Sequence, residues 1–317
     1  MKSAPAVLIF IFAALAVCAQ TPPNFTSIQR LTNREMVLRL NAPAGNYRID
    51  TSTNLPDWHP FLTLSSTGLN QHTDTAAPYL NRRYYRAQQL TGPNVMTGDH
   101  LVTTNGDVVI HPITHASFVM TWNGLVIYND PDSPTSLYTG LPKANLILIS
   151  HDHGDHLDTN ALHVLTNSTT VIIAPQAVYT SMGTSLRALT TVLTNNMSTN
   201  VLGMRIDAIP AWNSNHPLGR GNGFVVNIGG RRIYMSGDTG DIAEMRALTN
   251  IDVAFVCMNV PFTMTVSQAV SAVRQFRPRV VYPYHFRNQD GTLADLNSFK
   301  QQVGADVGVE VRLRKWY

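Results

Sequence analysis

Three histidines and two aspartates lie within six residues, at His151, Asp152, His153, Asp155 and His156. They follow the apolar run from Ala144 to Ile149, which predicts a buried strand. Polar residues directly after a buried strand lie on a loop at its C-terminal end, where open α/β proteins place their chemistry. Because histidine is the commonest transition-metal ligand and aspartate a frequent partner, the segment predicts a metal site.

The spacing of these residues indicates how they bind. Side chains two residues apart in extended backbone project to the same side, so His151 and His153 can bind one ion. A turn at Gly154 would direct Asp155 and His156 toward a second ion. Two ions about 3.5–4 Å apart can hold a shared hydroxide and bind both oxygens in a hydrolysis. The alternative, a solvated histidine-rich loop, is disfavoured by further ligand candidates downstream.

The His-x-His-x-Asp-His motif after a buried strand resembles the metallo-β-lactamase superfamily of metal-dependent hydrolases. Three later positions extend the resemblance: His216 in a glycine-rich loop, Asp238 in a Gly-Asp-Thr phrase, and His285 at the end of the strand that begins at Val280. Many members carry the third histidine directly after a Pro-Ala step, whereas here Trp212 and Asn213 intervene. Asn213 or water in place of His216 is therefore the alternative at that position.

The resemblance implies two metal ions and a division of the ligands between them. The first ion would be held by His151, His153 and His216. The second would be held by Asp155, His156 and His285, with Asp238 bridging the two. Nitrogen and carboxylate ligands suit Zn²⁺, with Mn²⁺ or Fe²⁺ as alternatives, because a mixed ligand set discriminates poorly between these metals.

Two residues are expected to take part in catalysis. Asp155 would orient the attacking hydroxide and receive its proton. The phrase from Thr114 to Phe118 and the later Asn129-Asp130-Pro131 are similar to a branch that includes the ascorbate-6-phosphate lactonases. In that comparison His115 lines the active site, the alternative being a strand-end histidine with a purely local partner.

The elements around these residues predict the fold. Three of the four ligand-bearing segments consist of an apolar strand followed by ligands, which indicates strands converging on one rim of a two-sheet sandwich flanked by helices. The resemblance implies a four-layer αββα fold of the α/β class over residues 93–317. Residues 20–92 instead alternate polar and apolar side chains between Gly, Pro and Asn breaks, which predicts a small β-sandwich. The expected linker runs from Thr91 to Asn94.

Composition restricts the partners and the location. Of 317 residues only 14% are charged, the net charge is +3, and no run of five like charges occurs, which argues against a nucleic-acid partner. Residues 1–19 predict a signal peptide, with Lys2, an apolar stretch and Val17-Cys18-Ala19 before the cleavage point. The stretch is shorter than the roughly 20 residues of a membrane span. We therefore expect export to the periplasm or the medium, a lipoprotein anchored through Cys18 being the alternative.

After cleavage only Cys257 remains, and its apolar surroundings predict a buried thiol with no catalytic role. The sequence thus predicts an exported dinuclear hydrolase acting on a small-molecule ester, lactone or phosphoester, and makes no prediction of oligomeric state. The rival hypothesis is a non-catalytic binding or adhesion protein with a vestigial hydrolase domain. A complete set of ligands favours the enzyme, because a decayed site usually loses one.

Overall fold

The computed structural model describes residues 22–92 and 95–317, so the expected signal peptide and Cys18 lie outside the described residues. No helix of the described segments is long and apolar enough to cross a membrane.

The described strands fall into three groups along the chain. The first group is β1 (Asn24–Arg30), β2 (Met36–Asn41), β3 (Gly45–Ser52), β4 (His59–Ser66), β5 (Leu69–Asp74) and β6 (Tyr84–Leu90). The second is β7 (Gly98–Val102), β8 (Asp107–Thr114), β9 (Ser117–Trp122), β10 (Leu125–Asn129), β11 (Leu146–Leu148), β12 (Val171–Ala174) and β13 (Thr190–Val192). The third is β14 (Ser198–Val201), β15 (Met204–Ala211), β16 (Gly221–Ile228), β17 (Arg231–Met235), β18 (Val253–Cys257), β19 (Val280–Tyr284) and β20 (Glu310–Val311). The α-helices are α1 (Thr159–Leu165), α2 (Gln176–Ser181), α3 (Thr184–Arg187), α4 (Ala243–Arg246), α5 (Val266–Phe276) and α6 (Leu296–Val303).

The N-terminal segment is all-β. Strands β1, β2 and β5 form a small sheet of their own, while β3, β4 and β6 belong to a ten-stranded sheet. Leu38 of β2 packs on Ile49 and Leu62 of the larger sheet. The expected small all-β unit ahead of the main domain is confirmed.

The ten-stranded sheet continues from this segment into the main domain. Its order is β13-β12-β11-β10-β9-β8-β7-β4-β3-β6, and β4 pairs with β7 through Leu62 opposite Asp99 and Thr63 opposite Gly98. Gly98 has φ +141°, and a Cβ there would lie 2.1 Å from the Ile110 carbonyl oxygen. Glycine therefore allows the close approach at the point where the two parts join.

The main domain has four layers. Strands β7 to β13 of the ten-stranded sheet face a seven-stranded sheet, β14 to β20 in chain order, across one large apolar core. Ile127 of β10 points into that core, whereas Val126 and Tyr128 point to the opposite face, where α1, α2 and α3 pack. Helices α4, α5 and α6 cover the other sheet. The predicted αββα architecture is confirmed.

Short sequence motifs predicted several strand and helix ends correctly. Asn123 and Gly124 both have positive φ and connect β9 to β10 as a tight hairpin, as Asn-Gly predicts. Asp158 caps α1 by accepting a hydrogen bond from the Ala161 N–H. Cys257 is fully buried and unpaired, as expected.

Candidate metal centre

Four strand ends bring the candidate ligands to one rim of the sandwich. The loop from His151 to His156 follows β11, and His216 lies in the loop between β15 and β16. Asp238 follows β17 and His285 follows β19. Strands β17, β18 and β19 are parallel, so their C-terminal ends lie at the same edge.

Asp238 lies at the middle of the cluster. Its Oδ1 is 3.3 Å from His156 Nε2 and 3.2 Å from His285 Nε2. Its Oδ2 lies 3.9 Å from His151 Nε2. Asp155 Oδ2 lies 3.6 Å from His285 Nε2. One carboxylate thus separates two groups of nitrogen atoms.

The second group is formed around His151. His216 Nε2 lies 3.0 Å from His153 Nδ1, and the ring of His151 lies 4.8 Å from His153 and 4.6 Å from His216. Ligand atoms of these three residues lie within 4.8 Å of one another. All seven residues that the sequence singles out as ligands are therefore gathered in one place.

Several of these atoms are buried without a hydrogen-bond partner. They are His151 Nε2, His156 Nε2, Asp238 Oδ1 and both ring nitrogens of His285. Buried polar atoms are almost always satisfied in native proteins, because an unpaired one costs about 1–3 kcal/mol. Lone pairs that converge on one another without partners are what a bound cation would satisfy, so the residues fit a metal site.

Burial and charge set the protonation of the cluster. Burial alone would raise the pKa of Asp238, but His285 and His156 outweigh it and hold that pKa well below its usual range. Burial also opposes the pKa shift of His156, yet the carboxylates of Asp238 and Asp130 raise it well above its usual value. Burial lowers the pKa of His151, and the neighbouring His156 lowers it further. An ionised aspartate and neutral imidazoles are the states that bind metals, so the shifts at Asp238 and His151 favour binding, whereas His156 must release a proton when an ion binds.

A buried pair beneath the cluster orients two of the histidines. Asp130 Oδ2 lies 2.9 Å from His156 Nδ1, and Asp130 also accepts hydrogen bonds from the Ser150 N–H and hydroxyl at 2.6 and 2.8 Å. Ser150 Oγ lies 3.0 Å from His151 Nδ1. Since each Nδ1–H has an acceptor, each Nε2 is left with its lone pair toward the cluster. The sequence did not predict that Asp130 and Ser150 orient the histidines, although the Asn129-Asp130-Pro131 turn was a signal for Asp130.

His216 and Asn213 lie together, which bears on the alternative raised from the sequence. The Asn213 side chain accepts a hydrogen bond from the His216 N–H, and its amide nitrogen lies 2.9 Å from His216 Nδ1. The same amide donates to the Asp238 carbonyl oxygen at 2.8 Å. Asn213 therefore braces the loop that carries His216.

His115 lies beside Asp155. Its Nε2 is 2.9 Å from Asp155 Oδ2, and its ring packs against that of His285 with centroids 3.8 Å apart and an interplanar angle of 47°. Although burial would raise the pKa of Asp155, the hydrogen bond from His115 and the charge of His156 hold it well below its usual value. His115 has φ +52°, a region that a non-glycine residue occupies only when its surroundings enforce it.

Two sizeable cavities lie away from the cluster. One of about 480 Å³ is lined by Phe61 and Arg83 of the N-terminal segment together with Arg279 and Val280. Val280 begins β19 whereas His285 follows its other end, so this cavity lies near the end of the strand opposite to the cluster. A second, of about 500 Å³, is also formed between the N-terminal segment and the main domain. At the cluster itself Asp155 faces solvent, with 46% of its side chain exposed.

Comparison with known proteins places this geometry in context. Residues 109–285 match a family model described as a beta-lactamase superfamily domain. A UPF0173 metal-dependent hydrolase of Pyrococcus abyssi is 33% identical over 175 residues, covering 53% of this chain and 77% of the relative. A candidate metal-dependent hydrolase of known structure from Parabacteroides distasonis is 37% identical, with a TM-score of 0.62 over 69% of this chain and 99% of that chain.

One further structure resembles more of the chain. CmlA, a diiron beta-hydroxylase from Streptomyces venezuelae, is 15% identical, with a TM-score of 0.53 over 88% of this chain and 68% of that chain. An overlap of that extent includes part of the strands before residue 93. At this identity the likeness concerns the fold alone.

Proposed function

Because the chain belongs to the UPF0173 metal-dependent hydrolase family of the metallo-β-lactamase superfamily, we propose that it is a dinuclear hydrolase of small esters, lactones or phosphoesters. Membership makes it a metal-dependent hydrolase; the number of ions and the substrate class are our proposal. The observation that carries it is the set of buried, unpartnered ligand atoms that converge from separate loops on Asp238.

The proposed ligands divide around Asp238. His151, His153 and His216 would hold the first ion. Asp155, His156 and His285 would hold the second, and Asp238 would bridge them. In support, the two oxygens of Asp238 face different groups of histidines. Zn²⁺ suits this nitrogen and oxygen set, with Mn²⁺ or Fe²⁺ as alternatives.

Bound ions would supply Lewis acidity and make water a competent nucleophile near neutral pH. The protein supplies orientation and proton acceptance. Asp155 is the more exposed of the two proposed carboxylate ligands, so it can orient the attacking water and receive the proton that the water releases. The Nε2–H of His115 donates to that oxygen and limits the directions in which the carboxylate can turn.

Location and substrate complete the proposal. Lys2 and the apolar stretch after it support export to the periplasm or the medium. The rim at Asp155 is open to solvent, which supports a small-molecule substrate that approaches from outside. All seven ligand positions lie together, which disfavours a vestigial domain that only binds or adheres.

The test compares metal content and hydrolysis in two aspartate variants. Purified wild-type protein should contain two metal ions per chain by elemental analysis and should cleave members of a panel of chromogenic phosphodiesters, lactones and β-lactams. Asp238→Asn should bind fewer ions and lose hydrolysis. Asp306→Asn, which alters an aspartate with 65% of its side chain exposed, should match the wild type. Fewer than two ions per chain would refute the dinuclear site, and no hydrolysis of any panel member would refute the proposed substrate class.

A further inference from the structure

A tyrosine outside the predicted site contacts it from the end of the sequence. The hydroxyl of Tyr317 lies 2.8 Å from His115 Nδ1. The other ring nitrogen of His115 lies 2.9 Å from Asp155 Oδ2. A phenol, an imidazole and a carboxylate therefore form a continuous hydrogen-bonded series that ends on a proposed ligand of the second ion.

The chemistry of the groups fixes the direction of these bonds. An ionised carboxylate only accepts, so His115 must donate from Nε2–H. In a neutral imidazole Nδ1 then carries a lone pair, and the protonated phenol of Tyr317 donates to it. In the other tautomer, His115 Nε2 would carry a lone pair, and two acceptors, Nε2 and Asp155 Oδ2, would face each other.

Tyr317 is itself held by residues next to another proposed ligand. Its ring packs edge-on against Phe286, with centroids 5.1 Å apart, and the Arg287 guanidinium lies 4.2 Å from the ring centroid. The backbone N–H of His285 donates to the His115 carbonyl oxygen at 3.0 Å. The backbone of His115 is thus fixed, its ring packs on that of His285, and its two ring nitrogens contact Asp155 and Tyr317.

We propose that Tyr317 is a positioning residue that acts through His115 to hold Asp155 for the second metal ion. The proposal rests on the ligand set given under the proposed function. Hydrogen-bonded partners of metal ligands typically change metal affinity by about 10- to 100-fold when removed. Tyr317 is one step further from the ion, so the lower end of that range applies.

The experiment measures zinc affinity directly and does not need a substrate. Metal-depleted wild type and Tyr317→Phe are titrated with Zn²⁺ against a chromogenic chelator, which gives a dissociation constant for each ion. Tyr317→Phe should weaken one of the two constants by about 10-fold and leave the other unchanged. His115→Ala should weaken the same constant at least as much, and the double variant no more than His115→Ala alone.

A second tyrosine provides a matched control. Tyr79 is 41% exposed, as Tyr317 is 40% exposed, and its hydroxyl donates to the Val309 carbonyl oxygen at 2.7 Å. Tyr79→Phe should leave both constants unchanged. His115→Gln, which keeps an N–H donor at the end of its side chain, should restore part of the affinity that His115→Ala loses.

The outcomes separate this inference from the proposed function. Two bound ions in the wild type with unchanged constants in Tyr317→Phe would overturn the role of Tyr317 and leave the dinuclear site intact. Additive losses in the double variant would show that Tyr317 does not act through His115, which also overturns it. Fewer than two ions in the wild type would refute the proposed function itself.

Discussion

Replacing Asp130 by asparagine should weaken metal binding as well as the fold. Asp130 is fully buried, and each of its two oxygens accepts a hydrogen bond. Oδ1 accepts from the Ser150 N–H at 2.6 Å, while Oδ2 accepts from the Ser150 hydroxyl at 2.8 Å and faces His156 Nδ1 at 2.9 Å. Asparagine has the same shape but only one oxygen, so in either orientation its NH₂ group must face a donor.

The magnitude follows from those contacts. A buried donor left without an acceptor costs about 1–3 kcal/mol of folding free energy. Where the donor is His156 Nδ1–H, the ring also loses the partner that keeps Nε2 free for a metal, a loss worth about 10- to 100-fold in affinity. At about 1.4 kcal/mol per tenfold change, this corresponds to roughly 1.4–2.8 kcal/mol of binding free energy.

Two measurements separate the effects. Urea unfolding in the presence of a chelator gives the stability of the metal-free fold, and competition with a chromogenic chelator gives the zinc dissociation constants. Asp74→Asn is the matched control, because Asp74 is fully buried in the N-terminal segment and accepts from Arg83 Nε at 2.7 Å and the Tyr85 hydroxyl at 2.8 Å. It should lose stability without a change in zinc affinity.

The reasoning fails if Asp130→Asn behaves like Asp74→Asn. Equal losses of stability with zinc constants within about threefold of the wild type would mean that Asp130 supports only the fold. His156 would then be oriented by other contacts, of which Ser150 Oγ, 3.2 Å from His156 Nδ1, is the nearest candidate.

Two further predictions concern the N-terminal part. Burial, with a smaller contribution from Arg314, lowers the pKa of His72 to about 4. Between pH 6.5 and 4 the unfolded chain therefore binds more protons than the folded one. As the pH is lowered over this range, the unfolding free energy should decrease by roughly 2–3 kcal/mol. His72→Gln should show a correspondingly smaller decrease in urea unfolding at pH 4.5 relative to pH 7; an equal decrease would contradict the assignment. Gly98→Ala should lower the unfolding free energy by more than about 1 kcal/mol because of the close Ile110 carbonyl. Gly68 has φ +147° and no atom within 4 Å of an added Cβ, so Gly68→Ala should lower it less in the same thermal unfolding assay. Equal losses would show that the contact with Ile110 is unimportant.

The sequence singled out residues that the structure brings together at one rim, because their types are rare and their positions regular. Histidines and aspartates directly after apolar strands have few structural uses, and the spacing at His151 and His153 depends only on local geometry. Asp130, Ser150 and Tyr317 were not predicted. An aspartate before proline and a serine after a strand are ordinary turn residues, and Tyr317 contacts His115 across 202 positions of sequence. Roles of this kind depend on tertiary packing, which local pattern does not contain.

In the fold, too, the parts with a clear local pattern were predicted and the parts without one were not. Alternating and continuous apolar runs predicted the two sheets and their helical layers, because burial on one or two faces determines those patterns. Residues 181–200 were not assigned, and they contain α3 together with β13 and most of β14. Their Thr- and Asn-rich composition has neither strong helical propensity nor regular alternation.

The pairing of β4 with β7 determines how the N-terminal segment is attached to the main domain. A composition change near residue 92 indicates a domain boundary, yet backbone hydrogen bonding crosses it and places β3, β4 and β6 in the same sheet as β8 to β13. Such pairing cannot be read from alternation, because any exposed strand edge could accept β7. We propose that residues 20–92 and 93–317 are distinct in sequence but unfold together, since separating them would expose the unpaired edge of β7 to water.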